Sequence, residues 1–356
     1  MKYLSFVLIS IVMLFVACGE SPEELARKQQ AADFAASMEL EKEIGDRVRQ
    51  MYQPLATSAD NPENVSSPEK VHLGKVLYFD KRLSKDGTQS CNSCHNMSTY
   101  GVDNLPVSPG DNGGNGTRNS PTVLNAAFHS TQFWDGRAKD VEQQAGMPIT
   151  NPVEMAIPSE AFLVERLSGI EMYKELFAKV YPDEEKPLTY ENIAKSIAAF
   201  ERTLITPAKW DDYLTGSAGA LTLEQRRGLK SFLDAGCVSC HVGSLLGGNM
   251  FQKFGVYGNY WEYTKSAVID EGRFAETKNE GDKYMFKVPS LRNITETHPY
   301  FHDGSVADLG EAVKIMAKVN LNKDLTDGEV SDIVAFLGSL TGEVTEEMSS
   351  MPTELQ

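Results

Sequence analysis

The chain has 356 residues, 41% of them hydrophobic and 24% charged, which is a globular composition and not a disordered one. Its formal net charge of −16 disfavours nucleic acid, whose phosphates would be repelled, and favours a basic or neutral partner. The length is too great for one ordinary domain and suits two.

The chain opens with "MKYLSFVLISIVMLFVAC", in which Lys2 precedes an apolar run that is short for a membrane span and ends at Ala17-Cys18. This pattern predicts a lipoprotein-type signal segment over residues 1–18, cut before Cys18, which then carries the lipid. It places the rest of the chain in the periplasm, touching a bacterial membrane only through its anchor. Residues 19–65 are expected as a charged, helix-prone tether and lead-in.

A first unit is expected over 66–206. "GKVLYFD" (74–80) has the pattern of a short amphipathic helix running toward "CNSCH" (91–95). "SPGDNGGNGTRNSPT" (108–122) holds four glycines, at 110, 113, 114 and 116, so its backbone can approach something closely and can stay mobile. "FWDGRA" (133–138), "EQQA" (142–145) and "NPVEM" (151–155) follow. The unit closes with "LTYENIAKSIAAFERTL" (188–204), a helix that Thr189 can cap.

After a connection over 206–222 the pattern recurs, and a second unit is expected over 207–345. "GLKSFLD" (228–234) leads into "CVSCH" (237–241), and "LTDGEVSDIVAFLGSL" (325–340) closes the unit. Both closing helices carry Ile-x-Ala-Phe-x-x-x-Leu: Ile197, Ala199, Phe200, Leu204 and Ile333, Ala335, Phe336, Leu340. That spacing lines one helical face. Residues 346–356 are expected as a tail. Strand signals are sparse.

With Cys18 assigned to the lipid, the four remaining cysteines are Cys91, Cys94, Cys237 and Cys240, in two Cys-x-x-Cys-His runs. This is the attachment signature of c-type haem: two thiols take the two vinyl groups of one porphyrin edge, and the adjacent histidine reaches the iron. A zinc ribbon would set its pairs roughly 15–20 residues apart; here Cys94 and Cys237 are 143 positions apart. The fold class expected is mostly α, with two cytochrome c-type helical domains and one covalent haem in each. Roughly ninety residues between His95 and the helix at 188 exceed what a simple electron carrier needs, and they are expected to build a site over the first haem.

In order, "CNSCHNMSTYGVDNLP", "RNSPTVLNAAF", "FWDGRA", "EQQA", "NPVEM", "GCVSCH", "KVPSLRN", "PYFHDGS" and "EAVKIM" resemble the bacterial dihaem cytochrome c peroxidases, a family that includes MauG. The resemblance covers nearly all of the mature chain. It implies reduction of hydrogen peroxide to water at a peroxidatic N-terminal haem. Electrons would come from a small cytochrome c or a cupredoxin through a high-potential C-terminal haem. It also implies His95 and His241 as proximal iron ligands, Met316 as the second ligand of the C-terminal haem, and Trp134 between the haems. Glu154 with Gln144 would be the acid–base site. Asn119, Thr297 and Pro299 would hold calcium, and a homodimer is common in the family. His302 matches a family histidine near the domain interface; His72, His129 and His298 read as surface or loop residues.

Two other functions stand beside this one. A MauG-like oxidant of protein side chains would carry tyrosine in place of Met316, and a non-catalytic dihaem electron carrier would have no use for Glu154 and Gln144. Many relatives carry a histidine eight residues before the Asn of "RN", where it caps the peroxidatic iron at rest. Here that position is Asp111, and no histidine occurs from 96 to 128. The N-terminal haem is therefore expected to rest with its distal side open.

Overall fold

The computed structural model describes residues 21–217 and 219–356; the expected signal segment and Cys18 lie outside them. Among the described residues the regular structure is helical, apart from β1 (Phe251–Lys253) and β2 (Met285–Lys287), which pair antiparallel with Gln252 opposite Phe286.

Two helix pairs organise it. In the first half α2 (Pro68–Phe79) crosses α7 (Tyr190–Glu201); in the second α9 (Leu223–Ala235) crosses α13 (Asp327–Gly338). Polar side chains start all four. Ser67 and Thr189 accept from backbone N–H groups at the starts of α2 and α7, and Thr222 and Thr326 form reciprocal capping boxes with Gln225 and Glu329.

One glycine in each pair allows the close crossing. A Cβ on Gly74 would lie 1.9 Å from the Ser196 carbonyl oxygen, and one on Gly228 would lie 1.7 Å from that of Asp332. The same neighbour follows in each case, Phe200 and Phe336. The repeat in the sequence is thus a repeat in space.

Between α2 and α7 lie the short α3 (Cys91–Cys94), then α4 (Val141–Thr150), α5 (Glu160–Ser168) and α6 (Glu171–Val180). The first core joins Leu73, Val76 and Leu77 of α2 to Ile193, Ile197 and Phe200 of α7, with Phe177 of α6 beneath. The connection is itself ordered: α8 (Lys209–Leu214) carries Trp210 into the second core, beside Phe232 and Phe336. Asp211 of α8 pairs with buried Arg292 at 2.7 and 2.8 Å. α10 (Tyr260–Thr264), α11 (Phe274–Thr277) and α12 (Leu309–Leu321) complete the second half. The halves are sewn together at Thr206, whose hydroxyl accepts from Asn125 (2.8 Å) and Asn293 (2.9 Å).

Two expectations about the ends need correction. Residues 22–51 form one helix, α1 (Pro22–Met51), and its second half is no loose tether. Ile44, Val48 and the following Tyr52 form an apolar stripe at helical spacing that docks in the second core, not on the adjacent first half. Tyr52 donates to the His241 carbonyl at 3.1 Å, and buried Arg226 pairs with Glu41 at 2.5 Å. The final segment is no free tail either. It folds back through α14 (Glu346–Ser349), so that Met348 and Leu355 pack on the first core and His72 meets Glu354 at 2.6 Å.

Candidate active site

Each helix pair flanks a cavity. The first has a volume of about 1340 Å³ and is lined by Cys91, Cys94 and His95 together with Gln144, Glu154, Arg137 and Glu201. The second, about 230 Å³, is lined by Cys237, Cys240, His241 and Met316 among Phe232, Phe254, Phe286, Ile333 and Leu337.

All four cysteines are free thiols. Burial pushes the Cys91 thiol up, Cys94 to about 11 and Cys237 to about 12, which opposes the thiolate a zinc centre needs. No group of three or more His, Cys, Asp or Glu able to hold a metal ion occurs among the described residues.

The two histidines are set differently. His241 Nδ1 donates to the Leu246 carbonyl at 2.8 Å, which leaves the Nε2 lone pair for the cavity. His95 Nδ1 is buried without a hydrogen-bond partner, while its backbone carbonyl accepts from Tyr78 at 2.5 Å. Burial holds both rings neutral, the form that ligates a metal. Two thiols and a neutral imidazole on one cavity wall, twice over, fit a c-type haem in each cavity.

Trp134 and His302 line both cavities. The "FWDGRA" segment is a tight hairpin bridged between Gln132 and Ala138, with Phe133 at φ 65° and Gly136 at φ 72°. Buried Asp135 braces it by accepting from Arg118 and Arg137 at 2.5 and 2.9 Å. Trp134 is fixed by donating from Nε1 to the Asn119 carbonyl at 2.9 Å. His302 stacks on Phe286 at 4.3 Å between ring centres.

Glu154 follows α4 on the turn made by Asn151, which accepts from the Glu154 and Ala156 backbone N–H groups. Asn151 Nδ2 also donates to Glu154 Oε1 at 2.8 Å. Burial raises the Glu154 carboxyl above the ordinary carboxylate range, against the pull of Arg137 and that hydrogen bond. A carboxyl at a cavity wall can take up and return a proton. Gln144 lies on α4, on the same cavity.

Asn119, Thr297 and Pro299 all line the second cavity. Asn119 Nδ2 donates to Leu105 at 2.9 Å, and its Oδ1 takes no hydrogen bond from the described residues.

The glycine loop differs from expectation. Asp111 does not line the first cavity. Its carboxylate accepts from Ser84 Oγ (2.7 Å), Asp86 N (2.6 Å), and Thr88 N and Oγ1 (3.0 and 2.6 Å). These bonds hold it down to about 2. The loop is fastened, not mobile: Asp111 N donates to the Glu154 carbonyl at 2.7 Å and Asn112 Nδ2 to that of Pro152 at 2.6 Å. The close approach that the glycines permit is to "NPVEM", since a Cβ on Gly110 would lie 2.1 Å from the Val153 carbonyl oxygen.

His72 and His298 are exposed, and His129 sits on a loop, partly buried. Gly248 leaves room for its ring, and its Nδ1 accepts from Lys287 Nζ at 2.8 Å. Burial lowers both groups, Lys287 to about 7. Sequence reasoning also passed over Glu201, a buried carboxyl on the first cavity pushed up to about 8 by burial and by the charge of Glu142. Its signal was present in the repeat, where the second unit has Leu337.

The sequence profile of the Di-haem cytochrome c peroxidase family matches residues 68–219. The cytochrome c551 peroxidase of Pseudomonas aeruginosa is 43% identical over 87% of this chain and 89% of its own length. That of Nitrosomonas europaea is 46% identical over 82% and 84%. The methylamine utilization protein MauG of Methylophilus methylotrophus is 33% identical over 79% and 86%. Among solved structures, a MauG-like protein associated with microbial copper homeostasis superposes with a TM-score of 0.74 at 30% identity, over 84% of this chain and 97% of that one. Identity at this level across most of the length makes the chain a member of the dihaem cytochrome c peroxidase family.

Proposed function

We propose that the chain reduces hydrogen peroxide in the N-terminal cavity with electrons that arrive through the C-terminal one. The observation that carries this is the contrast in the cavity walls. The first has a proton-handling carboxyl, an amide and a guanidinium, while the second is apolar and includes Met316. Peroxidase activity accords with relatives at 43 and 46% identity that are named cytochrome c551 peroxidases.

A haem held in each cavity supplies a redox-active iron, and the residues around it decide what that iron does. Cys91 with Cys94, and Cys237 with Cys240, would hold the two porphyrins, and His95 and His241 would ligate their irons. Met316, on the wall of the second cavity, would supply a further ligand to the second iron, and a thioether ligand raises a haem potential, which suits electron entry. Glu154 takes the proton from one peroxide oxygen and returns it to the other, with Gln144 orienting the substrate beside it. Arg137 favours negative charge in the same space. Trp134, in both walls, lies on the electron path.

Asn119 Oδ1 with the Thr297 and Pro299 carbonyls offers oxygen ligands of the kind calcium prefers, with waters completing the shell. The donor is a small cytochrome c or cupredoxin. The −16 charge favours a basic donor, whose attraction is screened by salt. Cys18 anchors the protein to a membrane on its periplasmic side, and the active form is a homodimer. No described helix is long and apolar enough to cross a membrane.

The test is steady-state peroxide turnover with a reduced basic mono-haem cytochrome c and, separately, a reduced cupredoxin. Turnover with at least one is expected. None with either would contradict the reading and leave a MauG-like oxidation or simple electron transfer.

A further inference from the structure

In both halves the closing helix places the residue after its shared phenylalanine against the cavity. In α13 this is Leu337, which lines the second cavity; in α7 it is Glu201, which lines the first. The scaffold accepts an apolar side chain there, and the N-terminal half carries an acid instead. Glu201 is only 6% exposed.

Burial and the charge of Glu142 disfavour its ionised form, and together they outweigh the pull of Arg202. Among the described residues, no side chain or backbone N–H donates to the Glu201 carboxyl. On α4, Glu142 repels it and is itself held by Arg202 (2.7 and 2.6 Å) and Asn64 (3.0 Å). Arg202, the adjacent residue, is committed to Glu142 and the Ala59 carbonyl. From α2 and α3 the titratable groups in its field are Tyr78, fully buried, and Cys91, partly buried, and neither is cationic. An unpaired buried carboxylate would be costly, so the group is kept protonated at neutral pH.

Reduction of one peroxide to two waters consumes two electrons and two protons. Glu154 moves a proton from one peroxide oxygen to the other and supplies none in net. The two protons that complete the waters must enter from outside. A neutral carboxylic acid on the cavity wall is a source already in place.

We propose that Glu201 is a second proton donor of the peroxide cavity, giving its carboxyl proton to the oxygen released when the O–O bond breaks. The carboxylate left behind recovers its proton from solvent through the cavity mouth, and the two electrons come from the donor protein as in the proposed function. The inference rests on that reading of the N-terminal cavity.

The experiment uses the full-length dihaem protein, wild type, Glu201→Gln and Glu201→Leu, the last restoring the residue of the second repeat. Three quantities are read: the pH profile of kcat from about pH 5 to about pH 9, the KM for peroxide, and the infrared band of a protonated carboxylic acid. In the wild type kcat falls on the alkaline side as Glu201 ionises. In both variants kcat drops roughly a hundredfold with KM and the haem spectra unchanged, the alkaline limb is lost, and one carboxylic acid band is missing. If Glu201→Leu fails to load haem, Glu201→Gln, which keeps shape and polarity, is decisive alone. A variant that keeps wild-type kcat with the alkaline limb, or an infrared spectrum unchanged by the substitution, overturns the inference. A wild type without peroxide turnover overturns the proposed function itself, so the two failures are told apart.

Discussion

Gly74 and Gly228 let the same helix pair cross in both halves, yet the cavities beside them differ several-fold in volume and in the chemistry of their walls. The first carries Glu154, Gln144, Arg137 and Glu201; the second is walled by Phe232, Phe254, Leu337 and Met316. The difference comes only in small part from the helices that set each cavity, where Glu201 stands in place of Leu337. It comes chiefly from the insertion between α3 and α7, which supplies α4 and the "NPVEM" turn. A duplicated scaffold can thus hold two chemically similar groups and give them opposite work. On the proposed function, one would be open to a small polar substrate with proton carriers at hand, and the other, walled mainly by apolar side chains, would be closed by Met316.

The contrast breaks first at Glu154. Glu154→Gln keeps size and the contact with Asn151 but removes the proton. Peroxide turnover should fall by roughly two to four orders of magnitude, with both haems attached and the visible spectrum nearly unchanged. A loss smaller than about threefold in steady-state assays would remove Glu154 from the chemistry.

The shared scaffold is tested at the two glycines. Gly74→Ala and Gly228→Ala each force a Cβ onto a carbonyl oxygen less than 2 Å away, so the helices must part. Overpacking of this kind costs about 1–3 kcal/mol or more. Each substitution should perturb the spectrum of the haem in its own half and leave the other intact. Denaturant midpoints unchanged in both variants would show that the crossings are looser than described.

A smaller effect is expected at Asp111, which exists only in the first half. Its folded pKa of about 2 lies below the usual aspartate value of about 3.9, so it contributes stability above about pH 4 that is lost as pH falls toward 2. Asp111→Asn should cost about 1–2 kcal/mol at neutral pH and flatten the acid limb of the urea midpoint between about pH 4 and pH 2. An identical acid limb in the variant would assign that stability to other carboxylates.

Much of this was legible in the sequence. The two Cys-x-x-Cys-His runs and the paired Ile-x-Ala-Phe helices gave the helix pairs, because both signals are local and periodic. The roles of Asp111 and His129 were not legible, because their partners are distant. Asp111 is held by Ser84, Asp86 and Thr88, more than twenty residues upstream, and His129 by Lys287 on β2. The docking of α1 was hidden for the same reason: its apolar stripe shows that one face is covered, not which half covers it. Glu201 is the opposite case, visible once the two closing helices are aligned and Glu stands where Leu recurs.

The central claim is that the N-terminal haem is open to peroxide at rest while the C-terminal one is closed by Met316. Asp111 is committed to the turn at Lys85–Thr88, and the loop brings no histidine to the first cavity. Electron paramagnetic resonance of the fully oxidised protein, followed by stopped-flow mixing with peroxide, measures this directly. The account predicts one high-spin and one low-spin ferric signal and reaction without a lag. Two low-spin signals, with a lag abolished by prior reduction, would contradict it.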